Sequence, residues 1–110
     1  MDPTRAAVAR HVQVAGSMLW PTDGDGSCVA LDEVFAIVLL WGVDDRTPWI
    51  GWVTTLERRS VSFSSRDLED GEFQDWLARL RGWNGHKLAH AVAEPGLHQV
   101  WRSPAHPILG

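Results

Sequence analysis

Two apolar runs dominate the middle of the chain. Val34 to Gly42 reads VFAIVLLWG and Trp49 to Leu56 reads WIGWVTTL, with the polar break VDDRTP between them. Both are rich in β-branched and aromatic residues, which pack well on a pleated surface. They predict the two strands of a central antiparallel hairpin. Alternation puts Trp49, Gly51, Val53 and Thr55 on one face of the second strand, and Ile50, Trp52, Thr54 and Leu56 on the other. Both faces carry apolar residues, so helices are expected on one of them. The second must meet a bent-over sheet, another subunit or a ligand.

The flanking segments fit around this ribbon. From His11 a period of two places Val12, Val14, Met18 and Trp20 on one side of a half-exposed strand, interrupted at Gly16. Residues 21–27, PTDGDGS, read as a turn. Cys28 to Leu31 resumes an extended run, and Asp32-Glu33 marks a bulge or the joint between two strands. After the hairpin, Ser60 to Ser64 alternates with Val61 and Phe63 inward.

The period then becomes helical. Phe73, Trp76, Leu77 and Leu80 form one stripe. Asp67 or Asp70 serves as cap, Asp75 and Arg79 are spaced as an i, i+4 pair, and Gly82 suits the stop. Asn84 caps a shorter helix with Leu88, Ala91 and Val92 buried and Trp83 stapled to Leu88. Pro95-Gly96 ends it, and Leu97 to Arg102 returns as a last strand. The whole predicts a single domain over residues 1–110, with 1–10 an arm or short helix and 103–110 an extended tail. Strands, then helices, then a strand argue an α+β fold: an antiparallel sheet of about five to six strands against one or two C-terminal helices.

Composition narrows the function classes. Apolar residues make up 45% of the chain, enough for a core and against disorder. The formal net charge of −4 disfavours nucleic acid and anionic membranes and suits a basic protein partner. The N-terminal stretch lacks a secretory apolar core, and no apolar run approaches the ~20 residues that span a bilayer. With the single Cys28, this predicts a cytoplasmic protein without disulfides.

Candidate chemistry is sparse. His86 and His90 lie four apart on a predicted helix, a spacing that can chelate zinc. Lys87, however, stands where the HExxH pattern needs its glutamate, and His98 or His106 would join only through the tertiary fold. Residues 23–27 fail the calcium-loop pattern, since Cys28 and Val34 occupy the places of its glycine and last glutamate. Cys28 in an apolar run reads as a core side chain. The serines of 60–65 contain no nucleophile elbow, and no phosphate-binding glycine loop is present. No cofactor and no metal are expected.

Two features remain. Asp67, Glu69, Asp70, Glu72 and Asp75 crowd one helix start, with Asp44 and Asp45 in the hairpin connector. The bland reading is a charged helix end; the functional one is a landing patch for a basic partner. Seven Trp without a Tyr is the second feature. Trp is a frequent interface anchor, and Trp49 and Trp52 lie beside the connector acids.

The run FQDWLARLRGWNGHKLAHAVAEPGLHQVWR, with Leu77, Leu80, Gly82, Trp83 and the closing Trp101-Arg102, resembles the C-terminal part of small single-domain bacterial proteins. VALDEVFAIVLL looks like their kinked strand pair. The resemblance implies a pleckstrin-homology-like sheet with a C-terminal helix and, by analogy of size and acidity, an immunity-type protein that neutralises a toxin. The expected function is therefore a non-enzymatic inhibitor holding a protein partner, such as a basic toxin domain, through an acidic, Trp-anchored surface. The alternatives are a small-ligand module with a Trp-lined pocket and a metal-dependent enzyme using His86 and His90.

Overall fold

The computed structural model describes residues 11–22, 28–42 and 48–104. The expected N-terminal arm, the turn at 23–27, most of the hairpin connector with Asp44 and Asp45, and the tail from 105 onward lie outside the described residues.

The described chain is α+β, with two antiparallel sheets and three helices. β1 (Val12–Ala15), β2 (Met18–Pro21) and β3 (Val29–Ala30) make a three-stranded sheet in that order. A single 3-10 turn, Leu31–Glu33, leads into β4 (Val34–Trp41). With β5 (Trp49–Thr55), β6 (Ser60–Phe63) and β7 (Leu97–Arg102), it builds a four-stranded sheet in the order β6-β5-β4-β7. Between β6 and β7 come α1 (Ser65–Leu68), α2 (Gly71–Ala78) and α3 (Gly85–Ala93).

Leu19, not Met18 and Trp20, shares the inner face with Val12 and Val14. Residues 12–21 are two strands, not one interrupted strand. Gly16 adopts φ of 63°, and the chain doubles back so that Ala15 pairs with Met18 and Val12 with Pro21. The Asp32-Glu33 interruption is the joint where the chain leaves one sheet for the other.

The larger sheet has the facial split that alternation predicts. Ile37 pairs with Val53 and Leu39 with Gly51, while Gly51 faces Phe63 and Val53 faces Val61. Residues directly opposite share a face, so all of these point inward. They join Val12, Leu19 and Val29 of the small sheet, Phe73, Trp76 and Leu77 of α2 and Ala91 of α3 in one core. The inner side is thus covered by a bent-over sheet and helices together.

Close approach at the centre depends on Gly51. The Phe63 ring lies against its Cα, where a Cβ would collide with the ring. From there aromatic contacts run outward. Phe63 meets Trp49 edge-on at 6.0 Å between centroids and Phe73 at 5.2 Å, and Phe73 stacks on Trp76 at 6.4 Å. This string docks α2 onto the sheet.

Strand β7 contains a register shift against β4 between Ile37 and Val38. The extra residue lets Val100 and Trp101, neighbours in sequence, both be buried, which regular alternation forbids. Ser103, expected in the tail, is buried and donates its N–H to the Phe35 carbonyl at 2.8 Å.

Caps follow the sequence reading in α2 and α3. Asp70 accepts from the Glu72 N–H at 3.0 Å, and Asn84 from the His86 N–H at 2.9 Å. A third tie joins the two sheets at their rim. Arg59 pairs with the Glu33 carboxylate and donates to the Cys28 carbonyl at 2.7 Å. The hydrogen bond from Arg59, then that from the Ala30 N–H, hold the Glu33 carboxyl below its ordinary 4.5.

Two outcomes are expected. Gly51→Ala should lower stability by about 1–3 kcal/mol in urea unfolding, and Phe63→Leu in the same chain should recover part of that loss. Glu33 adds stability that is complete above its ordinary pKa and lost as pH falls through the lowered folded value. Glu33→Gln should therefore flatten the acid limb of a stability-versus-pH curve below pH 4.5 while leaving the alkaline limb unchanged.

Candidate functional site

The side of the large sheet turned away from the core is its most distinctive surface. Register places three rows on it. Leu97, Leu40 and Ile50 form one; Gln99, Val38, Trp52 and Ser62 form the next; Arg102, Ala36, Thr54 and Ser60 form the third. Leu97 is 72% exposed and Leu40 39%, while Val38, Ile50 and Trp52 are half-buried. Among the described residues, the helices and the small sheet pack on the opposite side. The result is an apolar centre with a polar rim of serines, Thr54, Gln99 and Arg102. At one corner the Arg102 guanidinium lies over the Phe35 ring, 5.3 Å from its centroid.

The residues expected to form one acidic, Trp-anchored surface do not lie together. Trp52 is on this outer face. Glu69, Glu72 and Asp75 are exposed on and beside α2, which packs through Phe73 on the inner face. The sheet stands between them. Asp70 is engaged as the cap of α2, and Glu69 pairs with Arg66 at 2.9 Å. Asp44 and Asp45 lie outside the described residues.

Asp67 and Trp49 are not surface groups at all. Asp67 is fully buried. Its Oδ1 accepts from the N–H groups of His11 at 2.8 Å and Val12 at 3.1 Å, and its Oδ2 accepts from the Ser64 N–H at 2.8 Å. The Ser64 hydroxyl donates to the same oxygen at 3.4 Å. Such a carboxylate is a bracket holding β1 to the start of α1, with no lone pair aimed at a partner. Trp49, 4% exposed, belongs to the aromatic string.

The Trp surplus proves to be largely internal strutwork. Trp41 donates its indole N–H to the Ala91 carbonyl at 2.8 Å, Trp76 to Ser17 at 2.9 Å and Trp101 to Arg81 at 3.0 Å. Each links a different pair of elements, using the polar tip that a buried indole must satisfy. Trp20, 40% exposed on β2, was not singled out by sequence reasoning. Alternation groups it with Val12 and Val14, but the hairpin places it opposite Gln13, on the other face. Of the Trp-lined pockets envisaged, Trp83, Leu88 and Val92 border a groove of about 240 Å³, and Trp101 floors a larger cleft.

The histidines converge further than their spacing implies. His90 Nε2 lies 2.9 Å from the Glu94 carboxylate. His98, arriving on β7, stands at 89° to the His90 ring with centroids 5.8 Å apart, and its Nε2 is 2.7 Å from the Glu94 carbonyl oxygen. Among the described residues, however, no group of three or more His, Cys, Asp or Glu is placed to hold a metal ion. Cys28 is half-buried and unbridged, with no acid or imidazole hydrogen-bonded to it among the described residues.

No family model, no curated protein and no solved structure matches this chain. The resemblance to small bacterial single-domain proteins rests on sequence pattern, and the immunity-type expectation on an analogy of size and acidity. Among the described residues no helix is long and apolar enough to cross a membrane.

The two groups of acids should separate experimentally. Asp67→Asn turns an amide N–H₂ toward backbone donors in a dry site. It should cost about 2–3 kcal/mol in urea unfolding. Asp75→Asn should change stability by less than about 0.5 kcal/mol.

Proposed function

We propose that this chain is a non-enzymatic protein-binding module whose contact surface is the outer face of the large sheet. The observation that carries the reading is the row of Leu97, Leu40 and Ile50 beside Val38 and Trp52, apolar and open among the described residues. Apolar patches rimmed by polar side chains mark interaction sites. A half-buried Trp at the centre is the kind of anchor that dominates interface energetics, because its ring is already ordered and loses little entropy on docking. The inner face is committed to the core, so the sheet has this one large side to offer.

The partner we propose is a toxin or effector protein that this chain neutralises in the cytoplasm. Support for that identity is an analogy of size, acidity and missing catalytic motif; support for the surface is geometric. The acids Glu69, Glu72 and Asp75 lie on the far side of the sheet from Trp52. Their part is to steer a basic partner during encounter. That differs from the single acidic and aromatic patch expected from sequence. It separates the anchor from the steering charge.

The test is to capture a partner from the source organism's lysate, identify and purify it, and measure its binding and its activity with and without this chain. Trp52→Ala should weaken affinity at least ~30-fold, chiefly through dissociation, because hot-spot Trp truncations are worth about 2 kcal/mol or more. Glu72→Lys with Asp75→Lys should slow association several-fold at low salt and leave dissociation unchanged. If Trp52→Ala and Leu97→Ser bind as wild type while the charge reversals abolish the complex, the outer face is not the contact surface. If the chain alone sediments as a dimer that Leu97→Ser dissociates, the face belongs to a second copy of the chain.

A further inference from the structure

A second cleft, of about 460 Å³, opens where the 3-10 turn, the end of α2 and the end of β7 meet. Its floor is apolar: Trp101, Leu80 and Val34, each at least nine-tenths buried. Its rim carries Arg79 and Arg81 on one side and Asp32 from the 3-10 turn. From these features we infer that the cleft binds a monoanionic carboxylate attached to an apolar, aromatic-sized body. None of its lining residues belongs to the proposed docking face, so the two readings stand or fall separately.

Charge balance is the first argument. Two guanidinium groups and one carboxylate leave the rim one positive charge in excess, in a chain whose formal net charge is −4. Neither arginine has an ion pair among the described residues. Asp75 sits one helical turn before Arg79, in the spacing that normally pairs them, yet no such bond forms. Arg79 turns instead to the Gly16 carbonyl at 3.3 Å. Complementing the negative end of α2 accounts for one arginine at its last turn. It does not account for Arg81, which is exposed beyond the helix and, among the described residues, has no ion pair.

Pre-organisation also favours binding here. The backbone of residue 81 is fixed to the cleft floor, because its carbonyl accepts the Trp101 indole N–H at 3.0 Å. That anchors the base of the Arg81 side chain, and both arginines line the cleft beside its apolar floor. Arginine matches carboxylate geometry with paired N–H donors. The volume suits a small organic molecule, and apolar floors with a few convergent polar groups are the usual form of such sites. Asp32, on the same cleft, disfavours dianions and would accept a hydroxyl or amino group on the ligand.

The test uses the full chain and two probes of nearly equal shape, 1-naphthaleneacetate and the neutral 1-naphthalenemethanol. Both are followed by heteronuclear NMR, reading the Trp101 indole N–H resonance. The carboxylate should shift that resonance saturably, and the alcohol should bind about tenfold more weakly, the worth of a charge-assisted hydrogen bond. Arg81→Gln should weaken the carboxylate about tenfold, and Arg79→Gln with Arg81→Gln more than that. Asp32→Asn should tighten it several-fold, a gain that general destabilisation cannot produce. Equal binding of acid and alcohol would overturn the inference. So would indifference to Arg81→Gln and Asp32→Asn, shifts confined to Trp52 and Leu97, or no saturable shift at millimolar probe.

Discussion

The buried carboxylate of Asp67 fixes how the two sheets meet. It lies fully buried at the core margin, which is tolerable because backbone and hydroxyl donors surround its oxygens. Those donors come from the start of β1 and from the end of β6, far apart in sequence. A strand at the rim of a small sheet would otherwise present its first N–H groups to an apolar interior. By accepting them, Asp67 lays β1 and β2 over the inner face of the large sheet. That placement in turn positions Ser17 to receive the Trp76 indole and brings α2 down on Phe63 through Phe73. Filling the inner side this way leaves the outer side of the sheet for other uses.

Local patterns in the sequence reveal much of this arrangement. The split of Trp49 to Thr55 between faces, the inward Val61 and Phe63, the stripe of α2 and the Asp70 and Asn84 caps depend on neighbours a few residues away, so periodicity reports them. The β1–β2 hairpin escaped because its turn, Gly16-Ser17, spans only two residues, and reversing there puts Leu19, not Met18 and Trp20, on the face of Val12 and Val14. Asp67 escaped for a different reason. An acid near a helix start is what a cap looks like, and nothing nearby in sequence shows that its carboxylate reaches back to His11 and Val12. The indole partners of Trp41, Trp76 and Trp101 are likewise distant carbonyls, so composition registered a surplus of Trp without its use.

The candidate site was legible only in part, and for a topological reason. Sequence alternation correctly assigns Trp52 to the face opposite Gly51 and Val53. It cannot say which of the two faces the helices cover. Once Phe73 is seen to contact Phe63, α2 and its acids belong to the inner side, and Trp52 is separated from them by the thickness of the sheet. Anchor and steering charge then become two surfaces with different kinetic signatures. The histidine pair shows the converse. His98 joins His90 through the fold, yet Glu94 engages both rings, and the result is a hydrogen-bonded corner.

The irregularity at Val100 also bears on how the molecule avoids its own kind. β7 lies at the margin of the large sheet, and margins invite lateral growth by strands from other molecules. An extra residue bends that margin and breaks the even spacing of its outward amides and carbonyls. A straight strand arriving from another molecule would match it for only a residue or two before falling out of step. The bend thus disfavours growth of the sheet along its hydrogen-bonding direction, even though Leu40 and Leu97 stand exposed on its outer face.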